Sequence, residues 1–368
     1  MNISLILTKQ CNLRCRYCFE THESVYMSEE TALRAIDMAV KDSQTTVGVS
    51  FFGGEPLLCK SLIYKCVDYS KRFDEVKFNW NMTTNGLLLD DEFLQFAGEN
   101  HIVIAMSHDG LMSRVNRLHS GGEDCLEELD HRLRQLLRYQ PSAFIMATTT
   151  PETVHMVAES AQYLFEMGVR RLNLAIDSRP DVGWDETNMD LLSEQLGKVG
   201  NYIFERFQEG KDICFNPFEE KILAITKDKA CHICQLGMRK PYIDWDGSVY
   251  PCIQFGGIEE YRMGSVYEGI NPVRREAIYQ KSLQKPEFCV GCALQQRCIN
   301  DCACINYQQC GEMSQVSGQQ CAFQRMLIEK ADEMARKMLG ADEKHFAARY
   351  LRICGLRNCS KIKEEESQ

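Results

Sequence analysis

The first 210 residues switch repeatedly between two hydrophobic periods, and that switching restricts the fold more than anything else in the chain. Residues 3–8 form a short apolar run, and residues 29–41 carry Leu33, Ile36 and Val40 at helical spacing. Val47, Val49 and Phe51 alternate as a strand does, and residues 62–71 return to a helical period. The exchange continues through a strand at 76–82, a helix at 90–97 that opens on Asp90, and strands at 102–106, 143–148 and 171–176. Helical segments at 126–137, 153–167 and 188–207 lie between or after these strands. About six such units predict an α/β fold, a parallel sheet with helices outside. Periodicity does not separate a partial barrel from a doubly wound sheet.

Composition bears on chemistry more than on fold. The chain has 368 residues and 19 cysteines, too long and too helical for a disulfide scaffold. The N-terminal apolar run meets Lys9 at once and does not read as a signal peptide. No stretch approaches the ~18 apolar residues of a membrane span. These features predict a reducing, cytoplasmic setting in which clustered cysteines mean metal or redox chemistry. The formal net charge of −10 argues against a nucleic-acid partner.

Cys11, Cys15 and Cys18 stand in a C-x3-C-x2-C spacing straight after the first apolar run, with Tyr17 before the last cysteine. Three thiolates can hold three irons of a [4Fe–4S] cube and leave the fourth without a protein ligand. The rival is a zinc knuckle, for which His22 is the next ligand type along the chain. The spacing resembles the signature of the radical S-adenosylmethionine (SAM) enzymes. That resemblance implies a partial (β/α)6, TIM-like barrel over residues 1–210. It also implies a cluster whose open iron chelates SAM, so that reductive cleavage gives a 5′-deoxyadenosyl radical.

Gly53-Gly54-Glu55-Pro56 follows the second strand and resembles the motif with which that family holds the methionyl group. Thr83-Thr84-Asn85-Gly86 follows the third strand and Ser107-His108-Asp109-Gly110 the fourth. By resemblance Asn85, Ser107 and Asp109 line the cofactor site, the latter two as hydrogen-bond partners of the ribose. Arg117 and Thr149 are further candidates, and His108 reads as a solvent-facing loop residue.

From Cys231 onward, cysteines, glycines and aromatics crowd into loops, and helical periodicity returns only at 321–339. Cys234 and Cys252 make a C-x12-G-x4-C element through Gly247, followed by Cys289-x2-Cys292-x5-Cys298-x3-Cys302 and then Cys321. This resembles the seven-cysteine pattern of the SPASM domain, which carries two auxiliary [4Fe–4S] clusters; paired zinc sites are the alternative. The resemblance implies that Cys289, Cys292, Cys298 and Cys321 hold a distal cluster, and Cys234, Cys252 and Cys302 a proximal one. The proximal set takes Cys231 as fourth ligand, or Cys214, or leaves that iron open. The module with its closing helix spans 211–340, and 341–368 reads as a tail. Cys59 and Cys66 read as small buried hydrophobes, and Cys304 and Cys310 as packing residues.

These resemblances imply three [4Fe–4S] clusters, SAM, and a peptide-modifying oxidoreductase fed by a flavodoxin- or ferredoxin-type donor. The texture of residues 291–307 resembles maturases of cysteine-rich ribosomal peptides, the ranthipeptide type, which join sulfur to carbon in a thioether. The related anaerobic sulfatase maturases make formylglycine and keep an Asp directly after the cysteine of the G-x4-C element. Here that position is Ile253, which cannot act as a base. A carbon–carbon or carbon–oxygen crosslink, or epimerisation, also stays open. Only ten residues precede Cys11, so the precursor peptide is expected to be docked by a separate leader-binding protein or directly by the metal domain.

Overall fold

The computed structural model describes residues 1–43, 45–225, 234–284, 286–298 and 302–354. Cys231 and the end of the expected tail, 355–368, lie outside the described residues.

Each unit found in the sequence is present. The strands and helices run β1 (Asn2–Ile6), α1 (Glu29–Ser43), β2 (Thr46–Phe52), α2 (Lys60–Ser70), β3 (Lys77–Thr84), α3 (Asp91–Glu99), β4 (Val103–Ser107) and α4 (Ser113–Asn116). They continue α5 (Leu126–Tyr139), β5 (Phe144–Thr149), α6 (Val157–Glu166), β6 (Arg171–Ile176), α7 (Glu186–Gln208), β7 (Cys214–Phe215) and α8 (Asn216–Ile225). The second region holds β8 (Tyr242–Ile243), β9 (Ser248–Tyr250), β10 (Gly264–Ser265), β11 (Gly269–Ile270), α9 (Pro272–Ser282), α10 (Ala303–Cys310), α11 (Gly318–Ala341) and α12 (Glu343–Cys354).

Strands β1 to β7 lie side by side in chain order, all parallel, which makes the partial (β/α)6 barrel. On the other edge of β1, β8 pairs in parallel and leads into the antiparallel β8–β11 meander. The two faces of β1 divide by the strand's period of two. Ile3 and Leu5 are fully buried in the main core with Ala32, Ala35 and Ile36 of α1, while Asn2, Ser4 and Ile6 line an internal cavity. Phe51 and Phe78 stack on either side of Trp80 at 5.4 Å, continuing the helix-facing layer. The Asp90 start signal is an N-cap whose side chain accepts the Phe93 N–H at 2.8 Å.

Helix α11 lies across α7 and α8 and closes the open end. Beyond it, residues 343–354, read from sequence as tail, form α12. Arg349 on α12 is buried, donates to the Ile213 carbonyl at 2.9 Å and pairs with the buried Glu219. Two helices also fall in the stretch where helical periodicity was read as absent. Helix α9 buries only Ile278, so it shows no apolar stripe; its start is marked instead by Pro272 and by Asn271, which caps Val273 and Arg274. Helix α10 spans eight residues, too few for a period to register. Among the described residues no helix is long and apolar enough to cross a membrane.

Candidate active site

The three N-terminal thiols sit in the loop after β1, half-buried and unpaired by any disulfide. Donors point at their sulfurs. The Leu13 N–H reaches Cys11 Sγ at 3.4 Å, Asn85 Nδ2 reaches the same sulfur at 3.5 Å, and Arg117 reaches Cys15 Sγ at 3.8 Å. Burial, aided by nearby carboxylates such as Glu55, Asp109 and Glu20, raises all three thiol pKa values, that of Cys15 to about 12, so without a metal they stay protonated. A sulfur ringed by N–H donors yet too buried to ionise freely suits a thiolate whose proton a metal has displaced.

Glycine at positions 53 and 54 is required by the protein itself. Gly53 has φ of 134°, and a Cβ there would come within 2.3 Å of the Thr8 carbonyl oxygen. A Cβ on Gly54 would meet the Gln10 carbonyl at 2.4 Å. The turn is thereby pressed onto the cysteine loop, with Gly54 N–H donating to Thr8 and Glu55 N–H to Gln10, each at 2.9 Å. Pro56 opens a buried one-turn helix behind it. The Glu55 carboxylate is fully buried and accepts the N–H groups of Leu57 and Asn85 and the Thr84 hydroxyl at 2.7–2.9 Å. Glu55 therefore locks the β3 loop in place, and Asn85 on that loop touches both Asn12 and Cys11.

Asp109 is equally occupied. Its carboxylate accepts the Tyr17 hydroxyl at 2.8 Å, the Thr148 N–H at 2.9 Å and the Arg117 guanidinium at 3.0 and 3.3 Å. The Arg117 guanidinium lies 5.5 Å over the Tyr17 ring, so Tyr17, Asp109, Arg117 and Cys15 form one buried unit beneath the loop. Ser107 is half-buried at the end of β4, and Thr149 is fully buried beside Thr153. His108 faces inward rather than to solvent: its Nδ1 accepts the Gly110 N–H at 3.0 Å and its Nε2 lies 3.1 Å from Asp130. The loop histidine thus ties β4 to α5.

In the second region, Cys289, Cys292, Cys298 and Cys321 all line one cavity of about 160 Å³, with Leu294 and Ile328. Beside it the buried Lys221 donates to the Arg297 carbonyl at 3.2 Å, and burial pushes its pKa down to about 8. Cys234, Cys252 and Cys302 lie close enough to act on one another electrostatically. Cys304, read as a packing residue, is buried beside them and acts on the thiols of Cys252 and Cys302. Its influence is the main cause holding both of those thiols below the ordinary range, while Cys304 itself is pushed up. Cys214 lies in β7, paired with Arg171 of β6. Among the described residues no group of three or more His, Cys, Asp or Glu side chains is arranged to hold a single metal ion.

The two regions meet at an inner cavity of about 750 Å³. Its wall includes Ser4, Ser50, Asn81 and Tyr242 from the strands, and Cys234, Lys240, Cys252 and Ile253 from the second region. Among the described residues, no carboxylate or imidazole lines it.

Residues 5–164 match the family described as the Radical SAM superfamily. Residues 5–164 are a radical SAM domain. The cysteine-type anaerobic sulfatase-maturating enzyme of Clostridium novyi is 24% identical over 281 residues, 71% of this chain and 75% of that protein. The radical SAM cyclopropyl synthase TigE of Paramaledivibacter caminithermalis is 19% identical, covering 92% of this chain and 75% of its own. Among solved structures, native anSMEcpe with bound AdoMet and Cp18Cys peptide superposes with a TM-score of 0.78 at 19% identity, over 93% of this chain and 99% of that one. Streptococcus suis SuiB bound to S-adenosylmethionine gives 0.60 at 17% identity, over 87% and 74%.

Arg117, a candidate from sequence, stands beside Cys15, whereas Arg179 is not among the candidates. Arg179 pairs with Asp177 at 2.7 Å, donates to the Arg16 carbonyl at 2.8 Å and acts on Cys18 from beyond β6. No local spacing marks such a residue. Cys304 was findable in principle, two positions after a ligand-type cysteine.

Proposed function

We propose that this protein is a radical SAM peptide maturase that forms a sulfur-to-carbon thioether in a cysteine-containing, ribosomally made precursor. In this reading Cys11, Cys15 and Cys18 hold the SAM cluster. Tyr17, Gly53, Gly54, Glu55, Pro56, Asn85, Ser107 and Asp109 shape or support its surroundings. Residues 211–340 are a SPASM module with a distal cluster on Cys289, Cys292, Cys298 and Cys321 and a proximal one on Cys234, Cys252 and Cys302. When bound, these groups supply a hydrogen-abstracting radical and a metal that keeps a substrate thiol deprotonated. The chain's own residues do the rest: Ser4, Ser50, Asn81 and Tyr242 offer hydrogen bonds to an inserted peptide. The setting is the cytoplasm, with a flavodoxin- or ferredoxin-type donor and a separate leader-binding protein as partners.

The observation that carries the reading is the cavity whose wall includes Cys252 and Ile253 and, among the described residues, no carboxylate. Oxidation of a substrate carbon to an aldehyde needs a proton acceptor there. Thioether closure needs the sulfur and carbon held together. Formylglycine formation is the second reading, favoured by the likeness to sulfatase-maturating enzymes. Anaerobically reconstituted protein, incubated with SAM, reductant and a cysteine-rich precursor peptide, should yield a product two hydrogens lighter whose sulfur resists alkylation. An aldehyde trapped by a hydrazine reagent on a sulfatase-type peptide would replace this function with the second.

A further inference from the structure

The inner cavity is not uniform along its length. Asn2, Val103 and Phe144, which open β1, β4 and β5, line the end away from the Cys11 loop. The five residues of β1 separate that end from the loop by roughly 15 Å, at about 3.3 Å per residue. Arg239 and Lys240 stand there: the Arg239 carbonyl accepts the Asn2 N–H at 3.2 Å, and both residues line the cavity. Cys252 shares this end. Tyr242 pairs with Tyr250 across the antiparallel β8 and β9, and Lys240 and Cys252 each lie two residues beyond that pair, in the same direction. Both basic side chains are exposed, and no hydrogen bond or ion pair ties either to a carboxylate among the described residues. Among the described residues the wall thus offers two positive charges and no negative one. A guanidinium and an ammonium left unanswered in a walled cavity attract an anion, the first as a planar fork and the second as a point charge.

We propose that Arg239 and Lys240 are specificity-determining residues: they bind a carboxylate of the substrate peptide close to its cysteine, carried by an Asp or Glu side chain or by the peptide's C-terminus. The inference rests on the peptide-maturase reading and adds the charge of its substrate. Two arguments favour a peptide carboxylate. Carboxylates are the anions an unmodified peptide carries at neutral pH. The carboxylate of SAM belongs with the Cys11 loop, at the other end of the cavity. The position beside Cys252 sets the distance along the peptide: a group held by Lys240 lies near a substrate sulfur held on the Cys252 side, and away from the carbon that meets the radical. The two cations take no part in bond making; they fix which stretch of peptide enters and in which direction it lies.

The test uses the full-length, anaerobically reconstituted protein with SAM and without reductant, so that binding is read and nothing turns over. One pool of synthetic peptides, capped at both ends, carries randomised residues around a central Cys. A second pool ends shortly after its Cys and is offered with free and with amidated C-termini. Captured peptides are sequenced by mass spectrometry, and iron is assayed in every variant. The expected result is enrichment by about tenfold of Asp and Glu near the Cys in the first pool, if a side chain supplies the carboxylate. If the C-terminus supplies it, the free-acid peptides of the second pool outcompete their amidated twins by a similar factor. Arg239→Gln with Lys240→Gln should abolish the preference at unchanged iron content. Arg239→Glu with Lys240→Glu should turn it toward Lys and Arg. Equal capture of acidic, neutral and basic peptides by the unaltered protein would overturn the proposal and leave the peptide site standing. A preference that survives the Gln variants would overturn it as well. Lost iron in the Gln variants would assign both cations to the cluster instead of the peptide. Capture of no peptide from either pool would remove the peptide-maturase reading, and the proposal with it.

Discussion

Around Cys11 and Cys15 the neighbours are charged or amide-bearing side chains sent in from other strands: Asn85 after β3 and Arg117 after β4, with Asp109 and Tyr17 behind. Around Cys252 and Cys302 the influence comes from close by in the chain: each starts a short turn or helix, and the buried Cys304 thiol stands beside both. The first arrangement is long-range and depends on the barrel being assembled. The second is local and depends on two short turns. The first site therefore depends on the scaffold for its order, whereas the second can be ordered by its own loops.

The widest separation between the two should come from the ligands themselves. Replacing Cys11, Cys15 or Cys18 by Ala should abolish 5′-deoxyadenosine formation while most bound iron remains. Chromatography of quenched reactions reads it, and sustained turnover in all three variants would remove the cofactor assignment. Cys289→Ala should cost about four irons per chain, the content of one cube, and leave the first site's iron in place. An iron assay showing collapse of every site would mean the regions are not separable.

A stability difference should follow. Asp109→Ala strands a buried Arg117 guanidinium and should cost about 3–5 kcal/mol in denaturant unfolding. A loss below about 1 kcal/mol would mean the network supports only the cluster loop.

The Glu55 carboxyl is raised by burial to about 7, against the donors that pull it down. The folded chain therefore binds that proton more tightly than the unfolded chain. Its contribution to stability is full below about pH 4 and is lost as pH rises through about 7, a change of up to ~3 kcal/mol. Glu55→Gln should flatten that part of the profile, and denaturant melts at pH 5 and 8 compare the two proteins. Parallel profiles would place the carboxyl near its ordinary range. The smallest effect belongs to Cys310→Ser, at the end of α10, which should leave iron content and turnover unchanged. Lost iron there would enlarge the second region's ligand set.

The same contrast explains what was legible. The barrel units could be read because each helix buries a stripe and each strand alternates, as Ile3 and Leu5 against Ala32 and Ile36 show. The cysteine spacings could be read because they lie on short stretches of chain, and four of these cysteines do line one cavity. Cys59 and Cys66 are buried as their helical context implied. Helix α9 could not be read, because one buried residue makes no pattern. The inward turn of His108 depends on Asp130 of a helix formed later in the chain. Asp109 was given to a ribose because its carboxylate sits on a site-facing loop; its Arg117 and Thr148 partners come from tertiary closure, which no local spacing encodes.

The pairing of β1 with β8 has a kinetic meaning. Ser4 meets Tyr242 only after the whole barrel region has been made, so one edge of β1 stays unsatisfied throughout. At ~5–20 residues per second, that edge waits roughly 10–50 s during synthesis. An open parallel edge invites pairing with other chains, and contacts this distant in sequence form slowly. A nascent barrel is therefore at its most aggregation-prone just before the second region emerges. A fragment cut after α7 would be left in that state, with no later strand to complete it.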